Sequence, residues 1–421
     1  VPLERIFKLR ENNTTVKTEV VAGITTFATL SYIIFVQPAV LSVTGMDFGA
    51  VMTATCLASA LATFLMGLYA NYPIALAPAM GHNFYFAFTV CGAAAAGGMG
   101  YRWETALGAV FVSGLIFVLL TKFGFREMLL NAVPDSLKHA IAIGIGLLIA
   151  FVGLQWAGIV VDAPGILVGL GNLRSAPVLL SLFGLVVTGI LVARNVRGAM
   201  LVGIIITALA GLSLGIVKYQ GLVSRPPSLA PTLLKLDLGG LFSASGITII
   251  SIFFFLALFD TIGTLIGVSE QAGFMRDGKL PRAEKALLSD SLGMSAGALL
   301  GTSTVTSYIE SAAGVATGGR TGLANMVTGL LLIAALFFSP VARMIGGGCE
   351  VSKGVFLYPV IAPVLIIIGS MMLKGVKRIP WDDPTESIPA FLTAIMMPVT
   401  VSITEGIAFG FVSYSILKIA T

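Results

Sequence analysis

Two acids lie deep in apolar chain: Asp260 in FFFLALFDTIGTLIG and Glu310 in TSTVTSYIESAAGVATGG. A charge placed in bilayer hydrocarbon costs about 2.5–3.5 kcal/mol on insertion scales, so such residues are rare and usually functional. A carboxylate at that depth can accept N–H donors from a neutral polar ligand, in charge-assisted bonds about twice as strong as neutral ones. A buried carboxyl can also take up and release a proton, as ion-coupled transport requires. Asn83, in NYPIALAPAMGHNFYFAFTV, carries an amide that both donates and accepts. His82 precedes it and points about 100° away around a helix. Phe84, Tyr85, Phe255 and Phe259 lie beside these motifs and offer faces for stacking. Each residue also has a plainer reading. Glu310 is a partner in capping a short helix, Asp260 an acceptor for hydroxyls or backbone N–H groups, and Asn83 a helix–helix bond. His82 and the aromatic rings pack.

The elements that hold these residues are apolar spans. The chain of 421 residues is 57% hydrophobic and 11% charged, with a mean hydropathy of +0.98, against roughly 25% charged in soluble domains. An all-α polytopic membrane protein is expected, with no large soluble domain. The net charge of +5 sits in short loops and reads as topology, not as a nucleic-acid surface. Cys56, Cys91 and Cys349 are isolated, with no metal-ligand or disulfide spacing. The stretch VPLERIFKLRENNTTVKTE lacks a cleavable signal pattern, so insertion is expected to rely on the first span.

Spans are predicted near 20–44, 50–69, 74–90, 104–121, 138–154, 175–193 and 199–217. After a polar break at 218–245 they continue near 246–268, 286–300, 307–317, 322–338, 355–373, 387–403 and 404–418. With both termini cytoplasmic, eighteen of the 25 Lys and Arg fall inside, among them Arg126, Arg276 and Lys279. Seven spans on each side of the break make the second set run opposite to the first, which is the arithmetic of an inverted repeat. The repeats are 1–217 (spans one to seven) and 246–421 (spans eight to fourteen), joined by 218–245. Spans three and ten are weak. Pro73 and Pro78 stop a helix from crossing the full width, and Pro78 suits a first helical turn. TSTVTS favours extended backbone, and Ser307-x-x-Glu310 has the form of a capping box. Both spans therefore read as half-helices preceded by extended chain, tolerable at that depth only inside protein or beside a cavity. Their N-termini would offer free N–H groups to a polar ligand. Glu19, Asp290 and Glu405, near span ends, read as solvated or capping residues.

TEVVAGITTFATLSYIIFVQP, ALAPAMGHNFYF, FDTIGTLIGV, YIESAAGVATGGRTGL and SITEGIAFGFVSY, in this order, resemble the adenine–guanine–hypoxanthine permease family. These AzgA-like members of the nucleobase–cation symporter and nucleobase–ascorbate transporter group are matched from about residue 4 to 418. The resemblance implies fourteen helices in two inverted seven-helix repeats. A core domain covers about 20–121 plus 246–338, and a gate domain about 138–217 plus 355–418. It also implies a homodimer with an elevator-like shift of core against gate. Residue by residue it assigns Asp260, Glu310 and Asn83 to the ligand or the proton, with helix-one residues Thr26, Phe27 and Thr29 near the crossing point. Three departures stand out: Ala257 replaces a usual second acid, His82 a usual aliphatic residue, and Ala79 and Phe84 the usual small residues.

The expectation is an importer of purine nucleobases (adenine, guanine, hypoxanthine or xanthine class) in the plasma (inner) membrane, coupled to protons, with sodium as the other ion. The expected substrate-binding residues are Glu310, Asn83, Asp260, His82, Phe84 and Phe259; Asp260 and Glu310 couple the proton. The alternative is a transporter of anions or another small heterocycle on the same fold. An enzyme is not expected: no metal cluster, nucleophile with its base, or cofactor fingerprint appears. No cofactor, metal or nucleic-acid partner is expected; membrane lipid surrounds the chain.

Overall fold

The computed structural model describes residues 2–94, 98–123, 134–163, 167–275, 280–352 and 355–421. Arg126, Arg276 and Lys279, used in the charge argument, lie outside them. The chain opens with α1 (Pro2–Phe7), α2 (Val16–Leu30), α3 (Ile33–Ser42) and α4 (Phe48–Leu65), the last continued by a π-turn over Met66–Ala70. A strand β1 (Leu76–Pro78) leads to the short α5 (Met80–Phe84) and a π-turn over Tyr85–Val90. Then follow α6 (Trp103–Phe123), α7 (Asp135–Trp156), a hairpin β2 (Val160–Ala163) and β3 (Leu167–Leu170), α8 (Ala176–Ala193) and α9 (Ala199–Ser213). The second half holds α10 (Ala244–Ala272), α11 (Ala283–Leu300), β4 (Val305–Ser307), α12 (Ser311–Ala316), α13 (Gly322–Ala335) and α14 (Ser339–Gly346). A second hairpin, β5 (Cys349–Ser352) and β6 (Val355–Leu357), precedes α15 (Ala362–Met372), α16 (Pro384–Thr400) and α17 (Ile403–Ala420).

Local sequence explains many of these bounds. Asp47 caps α4 by accepting from the Ala50 N–H at 2.7 Å, and Ser243 caps α10 by accepting from the Gly246 N–H at 3.0 Å. Gly273, at φ 69°, ends α10 in the left-handed conformation that a side chain disfavours. With 29 residues, α10 is about 44 Å long at 1.5 Å per residue, well beyond the hydrocarbon thickness. Among the described residues, eight helical segments are long and apolar enough to cross a membrane.

Some expectations change. The twelfth predicted span begins as a strand, and its helix starts at Ala362 rather than 355. The two hairpins were not anticipated: their short runs sit between spans and carry no strong alternation. Pro78 lies in β1, opposite Val305, and not in a first helical turn, because α5 begins two residues later.

The chain divides into two compact units. Unit 1 holds Val1–Asn83, Arg102–Arg126 and Gly221–Ala342; unit 2 holds Phe84–Tyr101, Glu127–Gln220 and Arg343–Thr421. In unit 1, α4 and α13 meet at Gly67 and Gly322; a Cβ on Gly322 would come within 1.9 Å of the Gly67 carbonyl oxygen. Such small residues let backbones approach where lipid gives no hydrophobic drive for helix association. Unit 2 uses the same device between α7 and α15, where a Cβ on Gly369 would meet the Gly146 carbonyl oxygen at 2.4 Å. Ala140, Ile143, Ile379 and Ala390 form a buried apolar cluster beside it.

Candidate functional site

The site is built on a two-stranded ribbon inside unit 1. β1 and β4 pair antiparallel, with Leu76 opposite Ser307 and Pro78 opposite Val305. Residues 74–77 and 302–306 are fully buried. Extended backbone in such a place must have every polar group met, since each orphan costs several kcal/mol in hydrocarbon. The ribbon is extended at its ends by the Tyr308 N–H to the Ala75 carbonyl (2.9 Å) and the Ala79 N–H to the Thr304 carbonyl (3.0 Å). Side chains meet the remainder. Thr63 Oγ1 accepts from the Leu76 N–H at 3.0 Å, Ser311 Oγ accepts from the Ala75 N–H at 2.9 Å, and Asn325 Nδ2 donates to the Ile74 carbonyl at 2.8 Å. Because the strands are antiparallel, α5 and α12 leave the ribbon from opposite ends.

Two acids grip β4. On α10, the Asp260 carboxylate accepts from the Thr306 hydroxyl at 3.2 Å, and the residue is exposed. Gly263, one turn further on, has nothing within 4 Å of its Cβ position, so this face of α10 opens onto free space. Asp290, on α11, is fully buried. It accepts from the Ser307 N–H (2.6 Å), the Ser307 hydroxyl (2.7 Å) and the Thr261 hydroxyl (2.6 Å). This corrects two expectations. Asp290 is not solvated, and Ser307 is not half of a capping box: both its donors go to Asp290. Glu310 occupies the residue before α12 without a side-chain cap bond.

Glu310 is instead held from helix one. Tyr32, in the break between α2 and α3, donates its hydroxyl to Glu310 Oε1 at 2.6 Å; Thr29 Oγ1 lies 3.2 Å from the Glu310 backbone carbonyl, with the Thr26 carbonyl nearer at 2.9 Å. Tyr308 donates its own hydroxyl to the Pro78 carbonyl at 3.0 Å, tying the start of α12 back to β1. Glu310 is half-buried and Ile309 beside it is 53% exposed, so the carboxylate sits at an opening. Asp260 lies within electrostatic range of Glu310 and of Tyr308.

Asn83 is fully buried; its Oδ1 accepts from the Ser303 hydroxyl, and its Nδ2 has no partner. Ser303 accepts in turn from Gln37 Nε2 at 3.1 Å. His82 is buried at 3% exposure, and neither ring nitrogen has a partner, which sets it apart from a packed and satisfied core histidine. Phe259 is half-buried and stacks on Phe255, ring centroids 6.1 Å apart. Phe84 belongs to unit 2, where its fully buried ring stacks on Phe88 at 5.5 Å. The structure thus brings Asp260 and Glu310 to one ribbon with Asn83 at its edge, and leaves Phe84 in the interior of the other unit.

Glu19 is buried, not solvated. It accepts from the N–H groups of Arg320 (2.8 Å), Thr321 and Ala324 (both 3.3 Å), and so closes the start of α13, a helix far from it in sequence. Glu405 is exposed in the first turn of α17. Sequence reasoning does not single out Tyr32, Gln37, Thr261 and Tyr308, whose long-range partners give no local signal. Among the described residues no group of His, Cys, Asp and Glu is arranged to hold a metal ion.

The sequence compares closely with known proteins. Residues 17–409 match the Permease family. The chain is 51% identical over 421 residues to a putative permease of Methanocaldococcus jannaschii, covering 100% of this chain and 93% of that one. It is 47% identical over 420 residues to the adenine permease AdeP of Escherichia coli (100% and 91% covered). To the guanine/hypoxanthine permease PbuG of Bacillus subtilis it is 46% identical over 429 residues (99% and 94%). Among solved structures, the transmembrane domain of the cyanobacterial bicarbonate transporter BicA shares the fold. Its TM-score is 0.63 at 14% identity, over 94% of this chain and 97% of that one. These relatives are permeases rather than enzymes, and the apolar helices agree: this is an integral membrane protein. The chain belongs to the Permease family, in the group that includes the adenine and guanine/hypoxanthine permeases.

Proposed function

We propose that this protein imports purine nucleobases by proton symport through an elevator-type movement. The observation that carries the reading is the state of Glu310. Its side chain makes no cap bond, and it sits half-buried at the end of a ribbon whose backbone groups are bonded elsewhere. A carboxylate kept at such a place has the character of a ligand group for N–H donors. Its relatives include permeases named for adenine and for guanine/hypoxanthine. Asp260, on the open face of α10, is the second ligand and the proton carrier; Asn83 and His82, with unpartnered nitrogens, and Phe259 complete the set.

In this reading the chain has fourteen membrane segments in two inverted repeats, 1–217 and 246–421, with the short α5 and α12 in segments three and ten. The moving core spans about 20–121 plus 246–338, and the gate about 138–217 plus 355–418. The protein works as a homodimer in the plasma (inner) membrane, with both termini cytoplasmic. A second reading, an anion transporter, is favoured by the shared fold with BicA; two acids at the ribbon argue against it. A thermal-shift screen of purified protein separates the two. Adenine, guanine, hypoxanthine or xanthine should raise the melting temperature, since a ligand of the folded state stabilises it, and nucleosides should not. Stabilisation by bicarbonate or sulfate with every base inert reverses the choice.

A further inference from the structure

We infer that the turn after α15 is a binding site for acidic phospholipid, with Lys374, Lys377 and Arg378 holding the phosphodiester of its headgroup. The chain does not loop away where α15 ends. It runs on as a tight 3₁₀ helix, Leu373–Arg378, of sequence LKGVKR. Side chains three apart eclipse one another in such a helix. Leu373, Val376 and Ile379, the last just past its end, share one edge. All three pack with Ala140 and Ile143 of α7 and Ala390 of α16. Lys374 and Lys377 share a second edge, Gly375 and Arg378 the third. Both lysines and the arginine are exposed. The buried edge fixes the backbone, so the three cations project from a packed base and not from a free loop.

Their level and their surroundings point to lipid. Gly375 lies beside His139: a Cβ there would sit 3.7 Å from the His139 Nδ1. His139 is four residues, or about 6 Å, into α7, and Arg378 lies within its electrostatic range. Long cationic side chains level with the first turns of a membrane helix extend their charged ends into the headgroup layer. Trp381 follows, 47% exposed, with its indole N–H bonded to the Val376 carbonyl at 3.0 Å. Tryptophan held in this way is characteristic of the membrane–water interface. The nearby acids are engaged elsewhere, apart from Asp382, which is exposed beyond Trp381. Asp135 pairs with Lys138 at 2.8 Å, Asp383 caps α16, and Glu386 pairs with Lys418 at 2.8 Å. Among the described residues, none of Lys374, Lys377 and Arg378 has an ion-pair partner. Unpaired cations at the edge of a bilayer attract its anionic lipids, each by about fivefold in affinity.

The test is titration of the detergent-purified protein with phosphatidylglycerol, read by native mass spectrometry, beside phosphatidylcholine of the same acyl chains. The parent should bind phosphatidylglycerol about tenfold or more tightly than phosphatidylcholine. Lys374→Gln, Lys377→Gln and Arg378→Gln should each weaken phosphatidylglycerol binding about fivefold, and the three together about a hundredfold. Phosphatidylcholine binding should not change. The substituted side chains are exposed, so the variants should melt with the parent in lipid-free detergent, and the single variants decide the matter should the triple one fail to fold. Arg194→Gln removes an exposed cation at the end of α8 and should leave binding as in the parent. Equal affinity of the parent for both lipids overturns the inference. So does undiminished binding in the variants, or an equal loss in Arg194→Gln, which would make the attraction a property of overall charge. Displacement of the lipid by an equal concentration of glycerol 1-phosphate also overturns it, since the cations would then serve a soluble phosphate.

Discussion

Asp260 takes a bond from the Thr306 hydroxyl, at 3.2 Å, on an exposed face of α10. Asp290 grips the next residue of the same strand from α11, takes three bonds between 2.6 and 2.7 Å, and has no exposed surface. Their neighbours interlock, because Thr261, next to Asp260 in sequence, donates to Asp290. The difference divides the labour of the ribbon. A carboxylate whose lone pairs are filled by the protein is part of the scaffold. One with lone pairs to spare, at an opening, is available to a ligand or a proton. Glu310 belongs with Asp260 by this measure: it makes no cap bond and is half-buried.

The largest effect is expected at the filled acid. Asp290→Ala leaves the Ser307 N–H, the Ser307 hydroxyl and the Thr261 hydroxyl without their acceptor in a dry interior. At about 1–3 kcal/mol for each of the three buried groups left unmet, the loss comes to about 3–9 kcal/mol, a large part of a typical stability of about 5–15 kcal/mol. The variant should express poorly or melt far below the parent in detergent. A variant that melts with the parent while losing only binding would move Asp290 from the scaffold to the site.

Glu310→Gln comes next, and should act on binding alone. The amide oxygen still accepts from Tyr32, so the variant should melt with the parent when ligand is absent. Binding of purine bases should weaken by roughly 1.5–3 kcal/mol, the scale of a hydrogen bond to a charged group. Unchanged affinity by titration would return Glu310 to a structural role.

Part of this division was legible in the sequence. The depth of Asp260 and Glu310 in apolar chain marked both, since the cost of a charge there is local and large. Pro73, Pro78 and the TSTVTS run marked the two interruptions of helix, because proline and clustered threonines act on their own backbone. What could not be read was pairing across long separations. Asp290 looked like a span-end acid until Ser307, 17 residues on, was seen to spend both donors on it. Glu310 looked like a cap because Ser307 stands three residues before it, and Tyr32, 278 residues away, gives no local signal of its bond. The unpartnered nitrogens of His82 follow from what its neighbours fail to offer, and a sequence does not record that.

Asp260→Asn should leave stability near that of the parent and strike coupling. Its Oδ1 can still take the Thr306 hydroxyl, but an amide carries no exchangeable acid proton. In proteoliposomes the variant should continue to exchange labelled base across the membrane, which needs no net proton movement, and should lose accumulation driven by an inward proton gradient. Gradient-driven uptake equal to the parent would rule out Asp260 as the carrier. Parent uptake that requires sodium and ignores pH would make Asp260 a sodium ligand or a structural acceptor instead.

The smallest effect, and the sharpest test of the comparison, lies in the two threonines that face these acids. Valine keeps the shape of threonine and its preference for extended chain, and removes the hydroxyl. Thr261→Val takes away a 2.6 Å bond to a buried carboxylate that has no water to replace it. It should cost about 1.5–3 kcal/mol. Thr306→Val takes away a 3.2 Å bond, longer than the usual O–H···O range, from a carboxylate with exposed surface. Its cost should stay within about 0.5 kcal/mol, because no charged group is left unmet and the β1–β4 pairing at residue 306 is made by backbone. Melting temperatures of the two variants, read against the parent in the same detergent, give the ranking directly. If Thr306→Val costs as much as Thr261→Val, Asp260 is a second structural clamp on β4, and the spare capacity assigned to it for a ligand or a proton does not exist.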